Sequence, residues 1–323
     1  MFRYLVRRIL WAILLFVVIT FVTFVIFFMA PENPGRAVCG GERARPQCIA
    51  QATEQLGLND PIPVQYGKFL KRLVVDRSLG NSYITEQPVN DVIKDAAPVT
   101  ASLVFGGAVL WLMIGLIVGI FSALKPRSLI DRIAMVGVLI GVSAHPVWIG
   151  LIFSYFLGFK WHVTPIAGYA DFFNPSEGLP GGPWQWFYHM ILPWCTFAIL
   201  FAALYVRMIR ANVMETMNED YIRTARAKGA PERTVLRSHV LRNALLPVVT
   251  MLGMDIGIAL GGAIFTEGVY SLPGLGRTVI QAVTDQDLAV VQGVVVFSTL
   301  CIITFNLLVD LLYAWIDPRI RLS

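Results

Sequence analysis

The side chains able to do chemistry are few and scattered. A zinc peptidase needs two histidines one helical turn apart with a glutamate between them. The four histidines here, His145, His162, His189 and His239, form no HExxH, and no metal site is expected. An ATPase needs a phosphate cradle of the form GxxxxGK[ST]. The glycine-rich pieces GLPGGP and SLPGLGR lack both the lysine and the following hydroxyl residue, so the chain does not hydrolyse ATP by itself. Ser143 and His145 are the nearest approach to a nucleophile and its base. A base must lie within hydrogen-bond reach, and residues two apart on a helix point to different faces. An intramembrane serine protease is therefore disfavoured, and the Ser143 hydroxyl is read as satisfying backbone freed by Pro146. Asp255 and Asp310 fall inside apolar blocks. Intramembrane charge is costly, so Asp255 is a candidate for contact with a passing solute, against the alternative of a paired carboxyl that locks helices. Asp310, close to the end of its block, reads as an anchoring contact.

The elements that must position these residues are membrane helices. Of 323 residues, 56% are hydrophobic and 15% charged, against about 25% charged in ordinary globular domains. Mean hydropathy is +0.65. Crossing a bilayer core of about 30 Å takes about 20 apolar residues as a helix. Six blocks meet that need: 9–30, 98–124, 133–158, 188–206, 247–265 and 291–316. Irregular backbone cannot face lipid, which predicts an all-α integral membrane fold with six transmembrane helices. The first block exceeds a signal-peptide core of about 7–15 residues and lacks a small-residue cleavage site, so it reads as an uncleaved span. Gly115 with Gly119, Gly137 with Gly141, and Gly253, Gly257 and Gly261 form small-xxx-small series suited to close helix packing.

Charge asymmetry sets the orientation. With the N-terminus inside, segments 1–8, 125–132, 207–246 and 317–323 carry 16 of the 26 lysines and arginines in 63 residues, and the outside segments carry 10 in 121. Both termini are then cytoplasmic. The net charge of +5 is explained by these flanks, and no basic stripe interleaved with aromatics points to nucleic acid. Segment 31–97 lies outside, and its Ile62, Tyr66, Phe69, Leu70 and Leu73 have the spacing of one apolar helix face. Cys39 and Cys48 share this segment, where a disulfide is permitted. Cys195 and Cys301 lie in spans and read as small hydrophobes.

The longest cytoplasmic loop, 207–246, contains NEDYIRTARAKGAPERTVLRSHVLRNALLP from Asn218. Its acidic start (Glu219, Asp220) and basic end (Arg226, Lys228) suit a helix macrodipole. Gly229 suits a helix stop and Pro231 the first turn of a second helix. This predicts helix, tight turn and short helix, a knob suited to a groove on a soluble partner. A plain connector does not need forty charge-patterned residues.

The loop resembles the coupling segment of binding-protein-dependent ABC importer permeases, whose pattern is EAA, three residues, Gly, and later LP. The matching positions are Arg223, Thr224 and Ala225, then Gly229, then Leu246 and Pro247; Arg223 and Thr224 replace the Glu and the first Ala. The chain is further similar to the first, B-type permease subunit of dipeptide and oligopeptide importers. The likeness runs through FRYLVRRIL and APENP, LGLNDPIPVQYGKFL, RSLGNSY, Ser143, Pro146, Gly150, Pro165 and Gly168, then Glu267, Pro273, Gly274, Gly276, Gln292, Gly293 and the closing NLLVDLLYAWIDPRIR. The resemblance implies a type I ABC importer permease fold, with a first helix at 1–30, an extracytoplasmic segment at 31–97 and a transmembrane domain at 98–323. It implies a site for ATPase coupling at Arg223, Thr224, Ala225, Lys228, Gly229, Ala230, Pro231, Glu232 and Arg233. The implied partners are a second related permease, two ATPase subunits that hold ATP and Mg, and an external substrate-binding protein. No cofactor is expected on this chain. Relatives of this importer type carry nickel, haem or sugars as well as peptides, so the solute stays open. A channel or sensor without an ATPase is the rival from another class, and it would need no cytoplasmic knob.

Overall fold

Backbone in lipid must satisfy its own hydrogen bonds. The computed structural model describes residues 2–29, 39, 45–55, 60–173 and 181–316, and among these it forms helices and two isolated bridges, Asn81 with Pro88 and Asp171 with Gly181. Four helices are long and apolar enough to cross a membrane alone, and two bent helix pairs bring the number to six.

Helix α1 (Phe2–Met29) stands mostly apart from the bundle, with Leu10 61% exposed and Ile26 60%. After it come α2 (Pro46–Gln55) and α3 (Ile62–Val74). The Cys39–Cys48 disulfide is formed, with the two Cα atoms 6.0 Å apart. α3 buries Tyr66 and Phe69, two of the residues on the face read from the sequence. The Tyr66 hydroxyl donates to the Val17 carbonyl of α1 at 3.0 Å and lies 2.9 Å from Thr20 Oγ1. The rings of Phe21 and Phe24 close around it.

α4 (Val89–Leu124) opens nine residues before the expected span, after extended Pro88, and carries Pro98 inside it. It packs along α7 (Pro183–Met217), and this contact is the centre of the bundle. Association in lipid gains little from hydrophobicity and depends on close packing. Gly115 lies against Tyr205 and Gly119 against Ile209, while Trp111, Leu103 and Tyr205 are fully buried. The Trp194 indole donates to the Ser102 carbonyl at 2.9 Å.

The third expected span is not one straight helix. α5 (Leu129–Ser143) and α6 (Pro146–Lys160) meet at 106°. Pro146 lacks an N–H and drives the preceding residue out of the helical region, and His145 is extended at φ −72°, ψ 136°. The cap on α6 comes from the His145 ring, whose Nδ1 accepts from Val147 N at 3.3 Å; it does not come from the Ser143 hydroxyl. Gly141 approaches Ala203 of α7 as its spacing suggests, whereas nothing lies within 4 Å of where a Cβ on Gly137 would be.

α7 runs eleven residues past the expected span end at 206 and leads into α8 (Asp220–Ala227) and α9 (Glu232–Ala244). α10 (Leu246–Gly262) follows at a bend of 43° and packs on α13 (Leu288–Ile316), where Gly253 meets Val309 and Gly257 meets Ile302. Two short helices, α11 (Ile264–Tyr270) and α12 (Leu275–Thr284), connect them. The side-chain surroundings of Gly261 and Asp310, residues 30–38 with APENP, and the closing residues 317–323 lie outside the described residues.

Candidate functional site

The knob is built from its caps. α8 carries Asp220 in its first turn and Arg226 in its last, both favourable to the helix dipole. It ends in a Schellman motif: Gly229 N donates to the Arg226 carbonyl at 2.9 Å and Ala230 N to the Ala225 carbonyl at 3.3 Å. Gly229 adopts φ +77°, the left-handed region that a Cβ disfavours. Pro231 takes the cap position of α9, at φ −62°, ψ 141°, rather than its first turn. The Arg226 guanidinium then forks across the turn to Glu232, Nη2 to Oε1 at 2.7 Å and Nε to Oε2 at 3.2 Å. Those hydrogen bonds hold the Glu232 carboxyl below its usual range.

Behind the turn the knob is anchored. Ile222 is fully buried in the core that also contains Val213 of α7 and Val235, Val240 and Ala244 of α9. Asn243 Nδ2 donates to the Tyr221 hydroxyl at 2.8 Å and Asn212 Nδ2 to the Ala244 carbonyl at 3.3 Å. In front of it Arg223, Thr224, Arg226, Lys228, Gly229, Pro231, Glu232 and Arg233 are exposed, and Ala225 and Ala230 are half-buried. A rigid back and a solvated, largely basic front are brought together at one end of the bundle. Asp255 is elsewhere, midway along α10. Its Oδ2 accepts from the buried Tyr205 hydroxyl at 2.7 Å, which ties α10 to α7. Among the described residues, no three His, Cys, Asp or Glu side chains converge as a metal site.

Two family profiles match the sequence. "Binding-prot-dependent transport system membrane comp, N-term" covers residues 1–104, and "Binding-protein-dependent transport system inner membrane component" covers residues 115–322. The chain belongs to this family. Similar proteins include the dipeptide transport system permease protein DppB of Alkalihalophilus pseudofirmus, 37% identical over 99% of this chain and 100% of that one. DppB of Escherichia coli K12 is 36% identical over 99% of each chain. A putative peptide transport system permease protein of Brucella abortus is 35% identical over 98% of each. The crystal structure of an amino acid ABC transporter with histidines covers 70% of this chain and 94% of its own at 15% identity, with a TM-score of 0.53, a likeness of fold.

Three buried carboxylates of this inner-membrane transport component do not stand out as sites in the sequence. Asp131, in the first turn of α5, accepts from Arg210 of α7 through both oxygens, Nε to Oδ1 at 2.6 Å and Nη2 to Oδ2 at 2.9 Å. It also accepts from Ser122 Oγ of α4 and from Arg127 N at 2.8 Å. The only local signal was the Ser-x-x-Asp cap from Ser128, since Arg210 lies far along the chain. Glu267 of α11 is fully buried at the other end. It accepts from Thr100 Oγ1 at 2.6 Å, Gly276 N at 2.8 Å and Arg277 N at 3.1 Å, while Thr100 accepts from Leu275 N at 2.8 Å. The first three N–H groups of α12 are thus all satisfied. In the sequence Glu267 stands out only as part of the family likeness. Asp287 makes a third such contact, accepting from Ser82 Oγ and from Tyr83 N at 3.2 Å.

Proposed function

We propose that this permease forms one half of a peptide path across the cytoplasmic membrane in an ATP-driven importer, and that its 225–233 turn seats in a groove on an ATPase subunit. The observation that carries this reading is the union of a fully buried Ile222 with an exposed, Gly229-terminated turn. Such a knob can bear force without deforming. The peptide substrate is supported by the dipeptide and peptide permeases that match along their whole length. The remaining subunits are a second related permease, two ATPases holding ATP and Mg, and an external binding protein that delivers the solute. Segments 1–30, 31–97 and 98–323 serve as first helix, extracytoplasmic segment and transmembrane domain.

Closure of the ATPases displaces the knob, and the spans tilt as rigid bodies between two access states. The partner drives this only through different affinity for the two states. Asp255 is the residue within the spans assigned to solute contact. The test is purification of the tagged chain from its own cell. Co-purification of an ATPase, and growth of a deletion strain on defined peptides restored by this chain, support the reading. Rescue by haem or nickel alone would reassign the substrate, and solute movement by the isolated chain would remove the ATPase from the account.

A further inference from the structure

The knob reading names where force enters but not how it reaches the spans. α7 is 35 residues long, about 52 Å at helical rise, and its final turns carry the knob. Arg210 lies one turn past the expected membrane boundary at 206, between the bundle and α8. Its fork closes on both oxygens of Asp131, which is 4% exposed and stands at the first turn of α5. Of the 15 residues of α5 only Asp131, Val138 and Gly141 are buried. An apolar groove of about 490 Å³, lined by Ile114, Val118, Ile133, Gly137 and Val206 among others, opens between α4, α5 and α7. Apart from the ion pair, the contact of α5 with α7 is apolar and one-edged, and such contacts have little directionality.

The route beyond α5 is also continuous. α6 follows the 106° bend. The Tyr270 hydroxyl of α11 reaches the Gly150 carbonyl of α6 at 3.3 Å and lies 2.7 Å from Thr196 Oγ1 of α7. α11 carries Glu267, which holds α12 at the opposite face.

We propose that the Asp131–Arg210 pair is the clamp through which displacement of the cytoplasmic knob moves the third span, with Arg210 and Asp131 as positioning residues for transport coupling. This rests on the reading of 225–233 as the ATPase dock. A bidentate guanidinium–carboxylate contact fixes direction as well as distance, which the apolar remainder of the α5–α7 contact does not. Coupling through packed elements has to be demonstrated at such a two-state contact rather than inferred from proximity.

The test uses the complete importer with its binding protein in proteoliposomes, with labelled dipeptide uptake and ATP hydrolysis measured in the same vesicles. Removing one partner strands the other, so the variants are Asp131→Leu with Arg210→Met together, and Asp131→Asn with Arg210→Gln together. Both leave no unpaired charge. The expected result is that the ATPase stays bound and hydrolysis is stimulated as before, while peptide moved per ATP falls by about tenfold or more, within the range of coupling factors between sites. Arg210→Lys, which keeps charge and loses the fork, is expected to fall between. Uptake per ATP equal to that of the unaltered protein in both double variants overturns the proposal. So does a parallel fall of uptake and hydrolysis, which marks a pair that only supports the fold. Failure of the dock reading is seen separately, as a Gly229→Val variant that keeps both its ATPase and normal uptake.

Discussion

Thr100 and Ser122 stand 22 residues apart on α4, and each donates its hydroxyl to a buried carboxylate, Glu267 at one end and Asp131 at the other. That spacing is about 33 Å along a helix, close to the bilayer core of about 30 Å. α4 therefore bears one polar knot at each membrane boundary, and the apolar α4–α7 contact lies between them.

The outer knot leaves no room at Gly274. A Cβ there would lie 2.4 Å from the Glu267 carboxylate. Gly274→Ala is expected to lower stability by about 1–3 kcal/mol, as overpacking does, read as a lower unfolding temperature in detergent. An unchanged transition would show that α12 yields without cost.

At the knob, nothing lies within 4 Å of a Cβ on Gly229, so the requirement is conformational and not steric. A β-branched residue in the left-handed region costs about 1–2 kcal/mol, and Asn visits it readily. Gly229→Val is expected to lose ATPase co-purification and uptake while the protein stays in the membrane, and Gly229→Asn is expected to keep both. Gly229→Asp keeps the turn but adds a negative charge to a basic surface, and is expected to abolish uptake. Normal uptake in that variant would refute docking through the charged face.

Asp255 accepts a hydrogen bond from Tyr205, and this contact gives two opposed expectations. If the carboxylate meets a peptide amino group, Asp255→Asn alters the uptake profile across about pH 5 to 8 and Tyr205→Phe does not. We expect that result. Equal, pH-independent losses in the two variants would make the pair a structural tie.

The disulfide supplies a check on orientation. A membrane-impermeant maleimide applied from outside is expected to label the intact protein at Cys39 and Cys48 only after reduction, since both are bonded. Labelling without reduction would show an open pair. Labelling only from the cytoplasmic side would invert the topology.

How much of this was legible differs from residue to residue. The apolar blocks located the spans because lipid demands uninterrupted hydrophobic length, but their ends followed other rules. α7 continues past 206 because a helix needs no lipid to persist, and α4 begins at Val89 because Pro88 stops the chain before it and Pro98 is tolerated inside. Pro146 reads in the sequence only as freeing backbone within one span, 133–158, and neither the break nor its 106° bend follows from that local pattern. Gly229 was readable because a helix stop is local chemistry. Asp131 with Arg210 was not, since a contact between residues 79 apart, with α5, α6 and α7 between them, leaves no trace in spacing.

Tyr66 has a consequence for biogenesis. Much of α1 is exposed, and the faces that are covered meet α13 and, through Tyr66, α3. The phenol that meets Val17 and Thr20 belongs to α3, which follows α1 in the chain. The first helix is thus keyed in rotation by segments that follow it in the chain, Tyr66 of α3 and one face of α13, and its azimuth is set only once both are in place.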